Sequence, residues 1–153
     1  MNYQTVLSKA TKILKGQLIK NPKLDCEILL SNALKIEREK LLINLNQEIN
    51  EKDLNNFNNL IDRRKRKEPI AYIIGYKEFW KKKFKVNTNV LIPRPDTEHL
   101  VEEALKLIPN NSSLNILDIG TGSGCIILSV LCERNKCYGV ALDISKKALN
   151  IAK

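Results

Sequence analysis

The stretch Leu117–Cys125 reads LDIGTGSGC, an apolar run closed by an acid and followed by three glycines that alternate with small polar residues. Glycines at 120, 122 and 124 carry no Cβ, so the backbone there can make tight turns and approach a ligand closely. The chemistry this permits is the holding of a nucleotide-type molecule. Asp118 stands where a carboxylate offsets positive charge on whatever is bound. Asp143 ends the next apolar run, nineteen residues after Gly124, and a carboxylate at such a strand end can accept two hydrogen bonds from a ribose diol. The dinucleotide fingerprint G-x-G-x-x-G does not fit. Counted from Gly120 its third glycine falls on Cys125, and counted from Gly122 it falls on Ile127, which disfavours a nicotinamide or flavin dinucleotide. A turn that merely joined strand to helix would need neither three alternating glycines nor that acid.

Other reactive residue types lead nowhere comparable. Cys26, Cys125, Cys132 and Cys137 form no CxxC pair and have no neighbouring histidines, so no metal site is expected and all four read as small buried hydrophobes in a reducing compartment. The single histidine, His99, opens a helix and reads as a surface or packing residue. The net charge of +9 is concentrated. Between Asp62 and Lys85 ten basic residues face three acids, a local surplus of seven. Such a field favours an acidic or polyanionic partner, nucleic acid or the ribosome included, while a Lys- and Asn-rich composition would also scatter lysines over solvated faces. Both readings stay open at this point.

These residues need elements to position them. A chain of 153 residues suits one ordinary domain or two small ones, and 43% hydrophobic content is enough for a core. No run of eighteen apolar residues exists, and the N-terminus has neither an apolar h-region nor a cleavage site, so a cytoplasmic location without membrane attachment is expected. Residues 2–67 read as helical. Asn21-Pro22 caps a helix with Leu24, Ile28 and Leu29 on one face; another runs from about Ile36 to Leu45. Asn50 opens a further helix with Leu54, Phe57 and Ile61 as its stripe, ended by Glu68-Pro69. From Ile70 the aromatic and β-branched texture reads as a linker into a strand pair. A helix follows, capped by Asp96 or Thr97, with Leu100, Val101, Ala104, Leu105 and Ile108 inward. Next come a strand at Leu114–Ile119, a helix at about Ser123–Cys132, a strand at about Cys137–Leu142 and a final helix from near Ser145, which together make one β-α-β unit.

The pattern D-x-G-x-G-x-G resembles the first motif of S-adenosylmethionine-dependent methyltransferases. RRKRKEPIAYIIGYKEFW (Arg63–Trp80) and LIPRPDTE (Leu91–Glu98) resemble the linker and the pre-motif segment of the HemK/PrmC family, the peptide chain release factor glutamine methyltransferases. The resemblance covers the whole chain and implies an α/β protein in three parts. Residues 1–68 would be a small helical bundle that recognises substrate, 69–90 a β-hairpin linker, and 91–153 the start of a Rossmann-like methyltransferase domain. It also implies methyl transfer from S-adenosylmethionine to the side-chain amide nitrogen of the glutamine in the Gly-Gly-Gln loop of bacterial release factors. By position, Gly120, Thr121, Gly122, Ser123 and Gly124 would line the methionine end of the cofactor and Asp143 would take the ribose. Pro93, Arg94 and Thr97 would border the pocket.

The family's Asn-Pro-Pro-Tyr signature, whose asparagine and carbonyls orient the amide nitrogen, occurs nowhere in the chain. Amide nitrogen is a poor nucleophile, so positioning must carry its catalysis. No catalytic residue can therefore be named, and the chain alone is expected to be inactive, as a truncated or shortened product. Two other functions remain: a nucleic-acid methyltransferase, which the basic stretch would suit, and a non-catalytic remnant whose bundle still binds a release factor or the ribosome.

Overall fold

The computed structural model describes residues 1–153 and divides into two compact units, Met1–Ile74 and Gly75–Lys153. No helix is long and apolar enough to cross a membrane.

The first unit is helical: α1 (Tyr3–Gly16), α2 (Pro22–Leu34), α3 (Arg38–Ile43), α4 (Glu51–Lys65) and α5 (Ile70–Ile74). α1 starts where the Asn2 side chain accepts the Thr5 amide at 3.0 Å, and it buries Tyr3, Val6, Ala10 and Leu14, a helical stripe. α4 is capped by the Asn50 side chain: its Oδ1 accepts from the Asp53 backbone N–H at 2.9 Å, and its Nδ2 donates to the Asp53 carboxylate at 2.7 Å. These faces meet over Leu14, Cys26, Leu29, Leu30, Leu41 and Phe57, all essentially without solvent exposure. Full burial of each such leucine or phenylalanine stabilises by about 1.5–3 kcal/mol.

Two acids of α2 are buried within this unit. Asp25 accepts from Arg64 Nε of α4 at 2.7 Å, and Glu27 accepts from Nε and Nη2 of Arg38 at 2.8 and 2.7 Å. Arg63 closes the end of the unit, pairing with Glu68 and donating to the carbonyls of Ile73 and Tyr72 at 3.2 and 3.3 Å.

Several sequence expectations for this unit are corrected. Asn21 makes no side-chain cap; Pro22, with its fixed φ, starts α2 without one. The buried face of α2 is Cys26, Leu29, Leu30 and Ala33, while Leu24 is 41% exposed, because pairing with Arg64 and Arg38 turns Asp25 and Glu27 inward. α3 is shorter than the expected 36–45. Residues 70–74 form a helical turn within the first unit, seeded by Tyr72 and Ile73 amides that donate to the Pro69 carbonyl at 3.0 and 3.1 Å.

The second unit opens with an antiparallel hairpin, β1 (Tyr76–Phe79) and β2 (Lys82–Lys85). Its two-residue turn, Trp80-Lys81, has φ of 49° and 57°, the left-handed pair a primed hairpin turn requires, without a glycine. Trp80 is held in place: its amide donates to Glu98 at 2.8 Å and its indole to Glu133 at 3.0 Å. Phe79 and Phe84 meet edge to face with centroids 6.0 Å apart and pack with Val101, Cys125 and Val130.

A 3-10 turn (Pro95–Thr97) leads into α6 (Glu98–Leu107), followed by β3 (Asn115–Ile119), α7 (Cys125–Glu133), β4 (Tyr138–Leu142) and α8 (Lys146–Ala152). Neither Asp96 nor Thr97 caps α6 with its side chain, because the backbone enters through the 3-10 turn. Leu100 is 55% exposed and Val101 takes the buried position. β3 and β4 are parallel, with Ile119 opposite Leu142, and α7 is the crossover between them. Gly139 of β4 admits α7: a Cβ there would lie 2.6 Å from Leu131 Cδ1 and 3.0 Å from Ile127 Cγ1. The opposite face of the pair, with Leu117, Ile119, Val140 and Leu142, is exposed. Arg134 caps the end of α6, donating to the carbonyls of Leu105 and Ile108 at 2.6 and 2.7 Å.

The thiols divide. Cys26 and Cys125 are buried, and burial pushes the Cys26 thiol up to about 11 and raises that of Cys125. Cys132 is exposed, contrary to the reading of all four as buried, because it lies on the outer side of α7.

Candidate functional site

The loop Gly120–Gly124 links β3 to α7, and all three of its glycines have positive φ: 79°, 55° and 77°. An L side chain at any of them would be strained, which is the physical reason for their alternation. They differ in surroundings. A Cβ on Gly124 would meet Leu128 at 3.1 Å and Ala152 at 3.3 Å, so this glycine serves packing. Around Gly120 and Gly122 a Cβ would meet nothing within 4 Å, and the backbone borders open space.

The loop is fastened from two sides. The amides of Gly120 and Thr121 donate to the Leu142 carbonyl at the end of β4, at 2.8 and 3.0 Å. The Gly122 amide donates to Asp143 Oδ2 at 2.9 Å, while Asp143 Oδ1 accepts from the Ser145 amide at 2.9 Å. These bonds, that from Ser145 first, hold the Asp143 carboxyl below the usual carboxylate range, so the group is an anion at neutral pH. Thr121 and Ser123 are buried, and the Thr121 hydroxyl donates to Asp118 Oδ2 at 2.8 Å.

The structure thus brings Gly120, Thr121, Gly122, Ser123, Gly124 and Asp143 together, with Asp118 beneath the turn. The side chains of Thr121 and Ser123 are buried, and the open side of the loop presents the backbone of Gly120 and Gly122. Pro93, Arg94 and Thr97 precede α6, and no hydrogen bond or ion pair joins them to the loop; Arg94 is exposed and its carbonyl accepts the Thr97 amide at 3.0 Å. His99 is exposed beside Glu102, 3.2 Å away, and no group of three or more His, Cys, Asp or Glu side chains gathers into a metal site. A groove of about 550 Å³ lies in the helical unit, between Lys20, Lys23, Leu24, Glu27 and Arg38, not at the glycine loop. Sequence reasoning missed Gly139, whose isolated position in an apolar strand was the available signal, and the bond between Gly122 and Asp143, for which there was none.

A helical domain followed by a hairpin and a glycine-loop β-α-β unit is the class this chain represents. Residues 5–75 match the family described as the PrmC N-terminal domain. The chain is 39% identical over 140 residues to a release factor glutamine methyltransferase of Caulobacter vibrioides, covering 92% of this chain and 48% of the relative. It is 43% identical over 149 residues to one of Coxiella burnetii, covering 95% and 54%. A bifunctional methyltransferase of Rickettsia prowazekii is 41% identical over 166 residues, covering 97% of this chain and 32% of the relative. Over most of its length the chain is thus similar to these release factor glutamine methyltransferases, and it spans about half of theirs.

Proposed function

We propose that this chain carries the cofactor-binding part of a release factor glutamine methyltransferase, acting in the cytoplasm on the Gly-Gly-Gln glutamine of bacterial release factors. On this reading β3-α7-β4 begins a Rossmann-like sheet, the helical unit helps to hold the release factor, and the glycine loop with Asp143 holds S-adenosylmethionine. The observation that carries the reading is the bond from the Gly122 amide to Asp143 beside the open backbone of Gly120 and Gly122.

The residues suit that cofactor. Asp143 accepts one backbone N–H on each oxygen, so each oxygen keeps acceptor capacity for one hydroxyl of a ribose diol. Asp118 has one oxygen bonded to Thr121, and its negative charge offsets a cation held above the loop. Gly120 and Gly122 admit the methionine end because no side chain fills that space. Pro93, Arg94 and Thr97 are assigned the border of the pocket. When bound, the cofactor supplies a sulfonium-activated methyl carbon for transfer to nitrogen, with the thioether as leaving group. The residues of this chain bind and orient; none is assigned the alignment of the amide, which in the resembling family belongs to Asn-Pro-Pro-Tyr.

Calorimetric titration with S-adenosylmethionine tests the reading. Asp143→Ala is expected to weaken binding by roughly ten- to a hundredfold and Asp143→Glu by less. In parallel, the amide resonances of Gly120 and Gly122 should shift on addition of cofactor. Equal affinity in the alanine variant would place Asp143 outside the site.

A further inference from the structure

The ten cations between residues 62 and 85 are not equivalent once folded. Arg63 and Arg64 are committed to Glu68, Asp25 and backbone carbonyls, and Lys65 pairs with Asp62. The hairpin β1–β2 is different. Its ten residues hold Lys77, Lys81, Lys82, Lys83 and Lys85 against the single acid Glu78. Four of the five, Lys81, Lys82, Lys83 and Lys85, are exposed, and none of the five makes an ion pair.

Carboxylates are at hand but turned elsewhere. Glu98 and Glu133 accept from Trp80 in the turn between the lysines. Glu78 stands opposite Lys83 on the ladder, yet the ammonium of Lys83 lies 5.0 Å from the centre of the Tyr76 ring. Alternation along the strands places Lys83 and Lys85 on the face away from Phe79 and Phe84, with Lys81 and Lys82 at the tip. Like charges this close repel one another and destabilise the compact state. Composition does not account for them: outside residues 62–85 the chain has sixteen basic residues against fourteen acids, nearly balanced.

We propose that the hairpin Tyr76–Lys85 is a docking surface for a carboxylate-rich face of a protein partner. Resting on the function proposed above, that partner is the release factor. A protein partner fits better than RNA. The one aromatic ring on the outward face is covered by Lys83 and offers no platform for a base, and lysines act as point charges without the planar fork that reads base edges. Exposed, unpaired lysines on a rigid ladder raise the rate of encounter with an acidic surface more than they slow its release.

Stopped-flow binding of the intact chain to a bacterial release factor tests this, using Lys81→Gln/Lys83→Gln/Lys85→Gln and the matching triple arginine variant. Unchanged Trp80 emission verifies that each variant is folded. At low salt the glutamine variant is expected to associate about tenfold more slowly, with a flatter salt dependence and a nearly unchanged dissociation rate; the arginine variant should restore the rate. Equal association rates in wild type and glutamine variant would overturn the proposal and leave the release factor reading intact. A chain that fails to bind the release factor at all would end both, whereas the cofactor titration is independent of either. Displacement of bound release factor by a twelve-nucleotide oligouridylate at lower concentration than by polyglutamate would assign the surface to RNA and overturn the proposal.

Discussion

The Gly122 amide lies 2.9 Å from Asp143 Oδ2, so one hydrogen bond ties the turn leaving β3 to the residue that ends β4. The acid expected to meet a ligand already organises the backbone expected to meet the same ligand. On the function proposed above, binding and loop order would be coupled through a single carboxylate.

That coupling predicts a pH dependence. The native Asp143 carboxyl is held below its ordinary value, so the stabilisation is fully present above about pH 4 and is lost as pH falls through the lowered native value. The amides of Gly122 and Ser145 should resist hydrogen exchange at pH 5–7 and lose that protection in more acidic buffer. Asp143→Asn should remove the pH dependence. Protection that ignores both pH and the substitution would show the bond to be incidental.

The helical unit should fold alone, and be more stable when it includes α5. Arg63 reaches the carbonyls of Tyr72 and Ile73, and Ile73 joins the core. Residues 1–74 are expected to give a helical circular dichroism spectrum and a cooperative melt, and residues 1–68 a melt at lower temperature. A higher or equal transition for the shorter piece would show that α5 adds nothing.

Within that unit, Arg64→Ala should destabilise by about 3 kcal/mol, because it leaves Asp25 buried without its partner. Lys106→Ala in the second unit is the contrast. Its partner Glu103 is as solvated as itself, and its removal should leave stability unaltered. Urea unfolding followed by helical ellipticity measures the first and tryptophan emission the second, since the only tryptophan, Trp80, lies in that unit and two units need separate probes.

Two small substitutions in the second unit should act in opposite directions. Gly139→Ala forces a methyl against Leu131 and Ile127 and is expected to cost about 1–3 kcal/mol. Ser129→Ala removes a fully buried hydroxyl that has no hydrogen-bond partner and should stabilise by about 1 kcal/mol. Trp80 emission in urea reads both. A destabilised Ser129→Ala would mean that the hydroxyl has a partner in solution.

What was legible in the sequence is what periodicity and glycine placement encode. β3, α7, β4 and α8 lie within a residue or two of the spans read from their apolar runs, and the alternating glycines 120, 122 and 124 mark three left-handed positions. α5 was not legible, since five residues after Pro69 are too few to show a helical period. Nor was the turned face of α2: Leu24 looked like core because nothing in the sequence says that Asp25 and Glu27 will be buried against arginines from α4 and α3. The same limit holds at the site. Residue types announce the loop and its acid, but only folding shows the Thr121 and Ser123 side chains turned inward and Asp143 bonded to Gly122.

The turn at Trp80-Lys81 has a consequence for the order of assembly. Two non-glycine residues in left-handed backbone cost roughly 2–4 kcal/mol, more than an isolated two-stranded ribbon can offset. The acceptors that compensate, Glu98 and Glu133, are separated from Trp80 by 18 and 53 residues. The hairpin is therefore local in sequence and late in time. It closes only after the ends of α6 and α7 have come together to receive Trp80, and a nascent chain still short of Glu133 would leave this ribbon open.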